Sequence, residues 1–200
     1  MNILIDYLPE SVSINGKEFK INADFRSSIL FELMMQDSEI EESEKALNAI
    51  DLYFMNDANS DKNIDGDMLK ELIEAIMWFY SCGKEDNRDK KEDEEVQGEA
   101  PIEKNELIYN FDYDDEYIYS AFLTQYNIDL NSIDRLHWWK FRAMMKGLNS
   151  DLQFVKIMGY RAIEITSDMS KSEKKHYTKM KKIYALPDLR TEEEKERDFA

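Results

Sequence analysis

The chain has 200 residues, 42% of them hydrophobic, and a formal net charge of −17 at pH 7. This length and apolar content predict one good core or two small ones. No apolar run approaches the roughly 18 residues that a membrane-spanning helix needs, so we expect no membrane association. The apolar start of the chain lacks a basic lead-in and contains Asp6, which is not typical of a secretory signal. The single cysteine, Cys82, excludes an internal disulfide and a thiolate zinc site and fits a reducing cytoplasm.

The first half of the chain predicts a β-hairpin followed by three helices. Two short alternating segments flank Asn15-Gly16, the dipeptide best suited to a type I′ turn. Asp24 can cap the first helix, and Gly83 suits the C-terminal cap of the third. The first helix is predicted to end near Gln36. The second is predicted to cover 42–54 and the third 68–82. The apolar positions that define their inner faces are Ile29, Leu30, Leu33 and Met34; Leu47, Ile50 and Phe54; Leu69, Leu72, Ile73, Ile76 and Phe79 or Tyr80.

A charged segment separates the two halves. Residues 84–106 contain 10 acids and 5 bases and almost no apolar side chains, which predicts an acidic disordered linker. The predicted domains are therefore 1–83 and 107–186, followed by a charged tail, 187–200. Because both halves have strongly apolar helical faces, we expect them to share one core.

The second half predicts about four helices. The first, from about 112 to 126, carries a wide aromatic stripe, and the second, capped by Asn131, carries two tryptophans and ends near Gly147. Asn149 or Ser150 can cap the third, in which Gly159 is expected to mark close packing. Ser170 and Glu173 form a capping box for the last helix, which ends at Pro187. The stripe residues are Tyr113, Tyr117, Ile118, Phe122 and Tyr126. The predicted fold is mainly α: a helical bundle with a small N-terminal β-hairpin.

The charge is unevenly distributed. Residues 1–106 hold 11 basic and 27 acidic side chains, whereas residues 135–182 hold 12 basic and 4 acidic ones. The acidic half would repel phosphates, which argues against general nucleic-acid affinity. Two binding partners remain open for the basic stretch, an acidic protein and the chain's own acidic half. A regulator that binds nucleic acid through 135–182 remains an alternative function.

Two patterns resemble metal or catalytic sites but depart from them. Residues 57–67 match alternate positions of a calcium loop, but Lys62 replaces the glycine of the turn and Met68 replaces the bidentate glutamate. The acids of 112–116 are better explained by a helix N-terminus, which favours negative charge. His137 is expected to be a hydrogen-bonded packing residue. We predict no catalytic residue, no metal, no cofactor and no enzymatic activity.

Residues 136–148, LHWWKFRAMMKGL, are the most informative segment. Trp138 and Trp139 are adjacent and would lie about 100° apart on a helix. We therefore expect one of them in the core, with its N–H hydrogen-bonded, and the other against a second layer, a partner chain or solvent. The candidate protein-binding residues are Trp138, Trp139, Phe141, Met144 and Met145, followed by the last-helix stripe of Tyr177, Met180 and Tyr184, which lysines surround.

Long blocks of the chain resemble the bacteriophage "gene product fifteen" proteins of long-tailed phages and prophages of Gram-positive bacteria. The resemblance spans roughly residues 8–186, and the blocks that carry it are LPESVSINGKEFKINADFR (8–26), IMWFYSCGK (76–84), YNFDYDDEYIYSAFLTQYNIDL (109–130), LHWWKFRAMMKGL (136–148) and FVKIMGYR (154–161).

The resemblance implies a role in phage tail assembly. Family members are encoded in the tail module beside the tape-measure gene, which implies a chaperone that coats the tape-measure protein in the host cytoplasm before the tail tube polymerises. No catalytic residue is associated with the family. The expected partners are the tape-measure protein or other tail proteins, with a homo-oligomer possible. The alternatives are a structural virion component, such as a tail-completion or connector protein, and the nucleic-acid-binding regulator.

Overall fold

A computed structural model describes residues 1–54, 66–84 and 107–188. These residues form one antiparallel hairpin and seven helices, so the predicted mainly α fold is confirmed. Most of the calcium-like loop, the linker from residue 85 onward and the last twelve residues lie outside the described residues. No helix in the described ranges is long and apolar enough to cross a membrane. The elements are β1 Ser11–Ile14, β2 Lys17–Lys20, α1 Phe25–Gln36, α2 Glu42–Phe54, α3 Gly66–Tyr80, α4 Asp115–Tyr126, α5 Trp138–Lys146, α6 Gln153–Ala162 and α7 Lys171–Tyr184.

The chain divides into two compact units. The first contains Met1–Gly98 and Asp134–Ala143, and the second contains Glu99–Ile133 and Met144–Ala200. The first boundary falls within the predicted linker, 84–106, and the difference from the predicted domains is that residues 134–143 belong to the first unit. The short segment 134–143, which holds both tryptophans of α5, packs with the N-terminal half rather than with its neighbours in sequence.

The hairpin of the first unit follows its sequence pattern. Val12 pairs with Phe19 across the two strands, and both side chains are buried. Asn15 and Gly16 have φ values of 52° and 75°, the positive pair that a type I′ turn requires. Strand β1 packs on α3. The turn chemistry and the alternation of apolar residues therefore specify both the register and the buried face.

Helix α1 begins as predicted but buries a different face. The Asp24 carboxylate accepts a hydrogen bond from the Arg26 backbone N–H at 3.1 Å and caps the helix. Leu30, expected inside, is 55% exposed. The small Ser28 is buried instead, because the Tyr53 hydroxyl of α2 donates to its Oγ at 2.8 Å. The residues that α1 buries are Phe25, Ser27, Ser28 and Phe31.

Helix α2 has the predicted bounds but contains a buried lysine. Leu47, expected inside, is exposed, whereas Lys45 is buried. The Lys45 ammonium donates to the Met35 carbonyl in the last turn of α1 at 3.3 Å and to the Glu42 carboxylate at 2.9 Å. The carbonyls at the end of a helix need such donors, so Lys45 completes α1 from the neighbouring helix.

The second unit is built around α6, which packs on both α4 and α7. The aromatic stripe predicted on α4 is split, because Ile118 and Phe122 are buried whereas Tyr113 and Tyr117 are exposed. The capping box of α7 is confirmed: Ser170 Oγ accepts from the Glu173 N–H, and the Glu173 carboxylate accepts from the Ser170 N–H.

Two helix starts predicted in the second half are wrong. Helix α5 begins at Trp138 rather than after Asn131, because the Asp129 carboxylate accepts the Asn131 N–H and holds that segment in a turn. Helix α6 begins after Leu152, which makes no side-chain cap. The Asn149 N–H instead donates to the Gln125 side chain at 2.8 Å.

Gly159 was expected to mark close packing, and that expectation is wrong. Apart from the neighbouring residues and backbone of its own helix, a Cβ atom at this position would meet no atom within 4 Å, and the residue lies inside α6. We therefore expect Gly159→Ala to raise the free energy of unfolding of the second unit by up to about 1 kcal/mol, since alanine loses less backbone entropy in a helix. Chemical denaturation measures the change. The matched control, Gly16→Ala at φ 75°, should destabilise instead, and a loss of stability in Gly159→Ala would contradict the open environment.

Candidate protein-binding surfaces

Both tryptophans of α5 lie against the C-terminal end of α3. Trp138 Nε1 donates to the Tyr80 carbonyl at 2.9 Å, and Trp139 Nε1 donates to the Phe79 carbonyl at 2.7 Å. The last carbonyls of a helix lack intrahelical partners. The two indoles therefore satisfy the end of α3 while they satisfy their own buried N–H groups, as expected for buried tryptophan.

The ring of Trp138 lies inside a stack of aromatic side chains. It is parallel to Tyr80 at 5.4 Å between centroids and to Phe141 at 5.7 Å. Phe141 in turn stacks on Phe25 at 4.9 Å. The Arg142 guanidinium lies 5.2 Å from the Trp138 ring centre, a cation–π distance. Trp138 has no exposed surface in this arrangement.

Trp139 packs on Trp78 and Phe79, the residues that precede Tyr80 in α3. Its ring meets Trp78 edge-on at 5.6 Å, and it is 4% exposed. A Cβ atom on Gly83 would lie 3.0 Å from Trp139 Cη2, and Gly83 has a φ of 65°. Glycine is therefore required at this position both for the left-handed turn that ends α3 and for the close approach of the indole.

Most of the five residues of the α5 segment that we singled out for partner binding are thus not at the surface. Trp138, Trp139, Phe141 and Met145 are buried, and Met144 is half-buried. Only one tryptophan was expected in the core, but both are buried on the same end of α3, so the solvent-exposed alternative is wrong. Both indoles fit at the end of α3 because neighbouring residues there provide a separate carbonyl acceptor and a separate aromatic ring for each.

Backbone pairing explains why this segment belongs to the first unit. Asp24 and His137 form an antiparallel bridge, in which the Trp138 N–H donates to the Ala23 carbonyl at 2.8 Å. The Phe25 N–H donates to the Leu136 carbonyl at 2.9 Å. Asp24 also accepts the Leu136 N–H at 3.2 Å, so the residue that caps α1 holds the bridge as well.

His137 is a buried, fully bonded packing residue, as predicted. Its Nε2 lies 3.1 Å from the Pro9 carbonyl, which only accepts, and its Nδ1 accepts the Trp139 N–H at 3.1 Å. These partners require the neutral ring with hydrogen on Nε2. Burial lowers the pKa of His137; Arg135 and Lys140 add to this, while the Pro9 carbonyl and Glu10 oppose it.

The lowered pKa of His137 predicts a pH-dependent stability of the first unit. The unfolded chain binds a proton at this ring near pH 6.5, before the folded chain does. The stabilisation is therefore complete above pH 6.5 and is lost as the pH falls through the lowered folded value. We expect the free energy of unfolding to fall over this range, and to fall less steeply in His137→Gln. Urea unfolding at a series of pH values measures both slopes, and equal slopes would contradict a buried neutral ring.

The second candidate surface, the stripe on α7, packs on α6. Tyr184 stacks on Tyr160 at 5.9 Å between centroids, and its hydroxyl accepts from the Gln153 side chain at 3.1 Å. Tyr177, Met180 and Tyr184 are all half-buried. The stripe therefore serves mainly to hold α7 on the second unit, while most of the α7 lysines remain exposed.

A buried ion pair lies next to this stripe in the second unit. Asp114 has no exposed surface, and its two carboxylate oxygens accept from Arg161 Nη1 at 2.6 Å and Nη2 at 2.9 Å. The same guanidinium donates to the carbonyls of Ile108 and Tyr184 at 3.1 and 2.6 Å. Arg161 thus joins three segments of the unit, and the only fully buried carboxylate in the described chain is used in structure.

An apolar turn at the N-terminus is the surface that the sequence pattern missed. The N–H groups of Ile5 and Asp6 donate to the Asn2 carbonyl at 3.2 and 2.9 Å, and the Asn2 N–H donates to the Asp6 carboxylate at 2.6 Å. This turn exposes 87% of Leu4, 79% of Ile5 and 98% of Tyr7. The signal in the sequence is an apolar run with a central aspartate, a pattern that is not typical of a secretory signal and is compatible with an exposed turn.

The family model described as Bacteriophage Gp15 protein matches residues 4–186. The chain belongs to this family. The resemblance inferred from the sequence blocks is therefore confirmed, and the protein is a bacteriophage protein with a structural or assembly-related role. No curated protein and no solved structure matches the chain.

The range matched by the Gp15 family model covers nearly all of the surfaces described above. The matched range begins at Leu4 and ends two residues after Tyr184, at residue 186. It therefore includes most of the exposed N-terminal turn, the α3–α5 tryptophan contacts and the whole of α7. Among the residues that the structure describes, no group of three or more His, Cys, Asp or Glu side chains is arranged to hold a metal ion.

Proposed function

We propose that this Gp15 family protein is a non-enzymatic tail assembly chaperone, which binds the tape-measure protein in the bacterial host cytoplasm before the tail tube polymerises. A tape-measure protein is a very long helical chain with apolar stripes that associate unless they are covered. A protein that holds it needs exposed apolar side chains for those stripes and net negative charge to keep the complex in solution.

The observation that carries the proposal is the exposed N-terminal turn. Leu4, Ile5 and Tyr7 present an aliphatic and aromatic surface on a backbone that is held by four hydrogen bonds, including one from the Leu4 N–H to the Asn2 side chain at 2.9 Å. An ordered apolar group binds with a smaller loss of entropy than a free arm. The apolar stripe of an amphipathic helix can cover these side chains. Each Å² of apolar surface buried in this way contributes about 25 cal/mol, which favours such a helix as the partner.

The α5 segment, which the sequence suggested as the contact surface, is therefore not the surface that we propose. Trp138, Trp139 and Phe141 are buried, so a partner would reach them only if the first unit opened. The α7 stripe offers only partly exposed side chains. We therefore assign the primary contact to the N-terminal turn and keep Tyr177, Met180 and Tyr184 as a second, weaker contact.

The test is co-expression with a fragment of the tape-measure protein encoded beside this gene. The wild-type chain should co-purify with the fragment and raise its soluble yield. The triple variant Leu4→Ser, Ile5→Ser, Tyr7→Ser should lower recovery roughly tenfold, as expected when central apolar contacts are removed. The matched control replaces two other exposed leucines, Leu30→Ser and Leu47→Ser, and should retain binding.

Two outcomes would count against this function. The absence of co-purification and of any gain in solubility would remove the tape-measure protein as the partner. The second outcome is measured by mass spectrometry of purified virions, from which a chaperone should be absent because it leaves before maturation. Stoichiometric recovery of the chain from mature particles would make it a structural component, such as a tail-completion or connector protein.

A further inference from the structure

Helix α4 presents an acidic and aromatic face away from the core of the second unit. Its buried residues, Ile118, Ala121 and Phe122, lie on one side, whereas Tyr117 and Leu123 are 38% and 40% exposed on the other. Glu116 is exposed beside them, and Tyr113 in the turn before the helix is 49% exposed. Residues 107–133 contain no lysine or arginine, and Asp112 and Asp115 are exposed as well as Glu116, so the charges that this segment exposes here are negative.

Helix α7 presents the opposite charge on its own outward face. Lys171, Lys175, Lys179 and Lys182 are exposed and follow one another at spacings of four, four and three residues, so they form one row along the helix. Ile183 is 55% exposed beside the end of this row. The inner side of α7 is half-buried against α6, so the lysine row faces away from it.

We propose that the outward face of α7 in one molecule binds the outward face of α4 in a second copy of the same chain. The lysines would pair with Glu116, Asp112 and Asp115 and lie over the exposed tyrosine rings, an arrangement that combines ion pairs with cation–π contacts. Ile183 would meet the aliphatic and aromatic side chains of α4. The opposite charges of the two faces are the reason for choosing a second copy as the partner.

The geometry makes this contact head-to-tail. Both helices pack on α6, and their exposed residues form two separate surfaces, so each molecule keeps a free α4 face when its α7 face is occupied. A contact between two different surfaces of identical molecules repeats into rings or filaments rather than ending at a dimer. Two single helix faces bury less area than the about 1,200 Å² of a typical stable interface, so the association should be weak and concentration-dependent.

Long-range repulsion does not prevent this contact. The net charge of −17 opposes association at low salt, but at physiological ionic strength charges further apart than about 8 Å are screened. Directly apposed lysines and carboxylates keep much of their attraction. The inference does not depend on the proposed chaperone role, because self-association can be measured with the purified chain alone.

A charge-reversal experiment on the full-length chain tests the proposal. Variant A carries Lys175→Glu and Lys179→Glu, and variant B carries Asp112→Lys and Glu116→Lys. Sedimentation velocity should show concentration-dependent association of the wild type, and each variant alone should associate roughly tenfold more weakly. An equimolar mixture of A and B should recover association, since the acidic faces of A then meet the basic faces of B.

The control has the same change in net charge as variant A but alters lysines elsewhere. Lys20→Glu with Lys84→Glu changes two exposed residues of the first unit and should associate as the wild type does. Circular dichroism must show that A and B are folded. The proposal would be overturned if the wild type were monomeric at all concentrations. It would also be overturned if the mixture of A and B associated no more strongly than each variant alone. Binding of short DNA at low salt that variant A loses, without self-association, would assign the lysine row to nucleic acid instead and would also overturn it.

Discussion

Arg161→Met is expected to lower the free energy of unfolding of the second unit by about 3–5 kcal/mol, the cost of removing one partner of a buried ion pair. Asp114 has no exposed surface and would keep its charge without the two hydrogen bonds from the guanidinium. The carbonyls of Ile108 and Tyr184 would lose a donor as well. Methionine matches much of the arginine stem, so the loss arises from charge and hydrogen bonding rather than from packing.

The control for this prediction is an exposed pair in the first unit. Arg135 also bonds a carboxylate, that of Glu10, but both side chains are more than half exposed. Arg135→Met should therefore cost no more than about 1 kcal/mol. Urea unfolding followed by circular dichroism, with hydrogen exchange of the α6 amides, measures both variants. The emission of the three tryptophans, all in the first unit, should be unchanged in Arg161→Met. Similar losses from both substitutions would show that Arg161 does not have this special role.

Local signals in the sequence were sufficient for most elements. The Asn15-Gly16 turn, the Asp24 cap, the bounds of α2 and the Ser170–Glu173 capping box each depend on residues within a few positions of one another. Such short-range hydrogen bonds compete well with other local structure, so their residue types identify them. The two wrong helix starts share one feature, since an earlier side chain, Asp129 or Gln125, accepts the backbone N–H of the residue predicted to cap the helix and holds it outside the helix.

Buried faces were harder to predict than helix bounds. Apolar periodicity placed Leu30 and Leu47 inside, yet both are exposed, while Ser28 and Lys45 are buried. These polar residues are buried because Tyr53 and the end of α1 provide partners for them. Burial of a polar group depends on a partner from another element, and a single helix pattern contains no information about that partner.

The candidate site depended on contacts that are distant in sequence. The bridge between Asp24 and His137 joins positions more than a hundred residues apart, and it brings the tryptophans to α3 rather than to the surface. The sequence predicted one buried indole with a hydrogen-bond acceptor for its N–H, whereas both indoles are buried and bonded in this way. It did not indicate that α3 would provide both, nor that the apolar N-terminal residues would remain exposed instead.

Trp138→Ala is expected to have the other large effect, a loss of about 3–5 kcal/mol in the stability of the first unit. The substitution removes a fully buried ring that stacks on Tyr80 and Phe141 and leaves the Tyr80 carbonyl without the indole N–H. Urea unfolding followed by the fluorescence of Trp78 and Trp139 measures this loss.

Trp138→Phe separates a core role from a binding role at the same position. Phenylalanine keeps part of the aromatic stack and loses only the hydrogen bond and some ring area, so the cost should be clearly smaller than for alanine. If Trp138 acts only in the core, folded Trp138→Phe should recover a tape-measure fragment as well as the wild type does, whereas the triple variant of the N-terminal turn should not. A folded Trp138→Phe that loses the fragment would return the contact surface to α5, because a ring that is buried in the free protein would then have to be exposed when the partner binds.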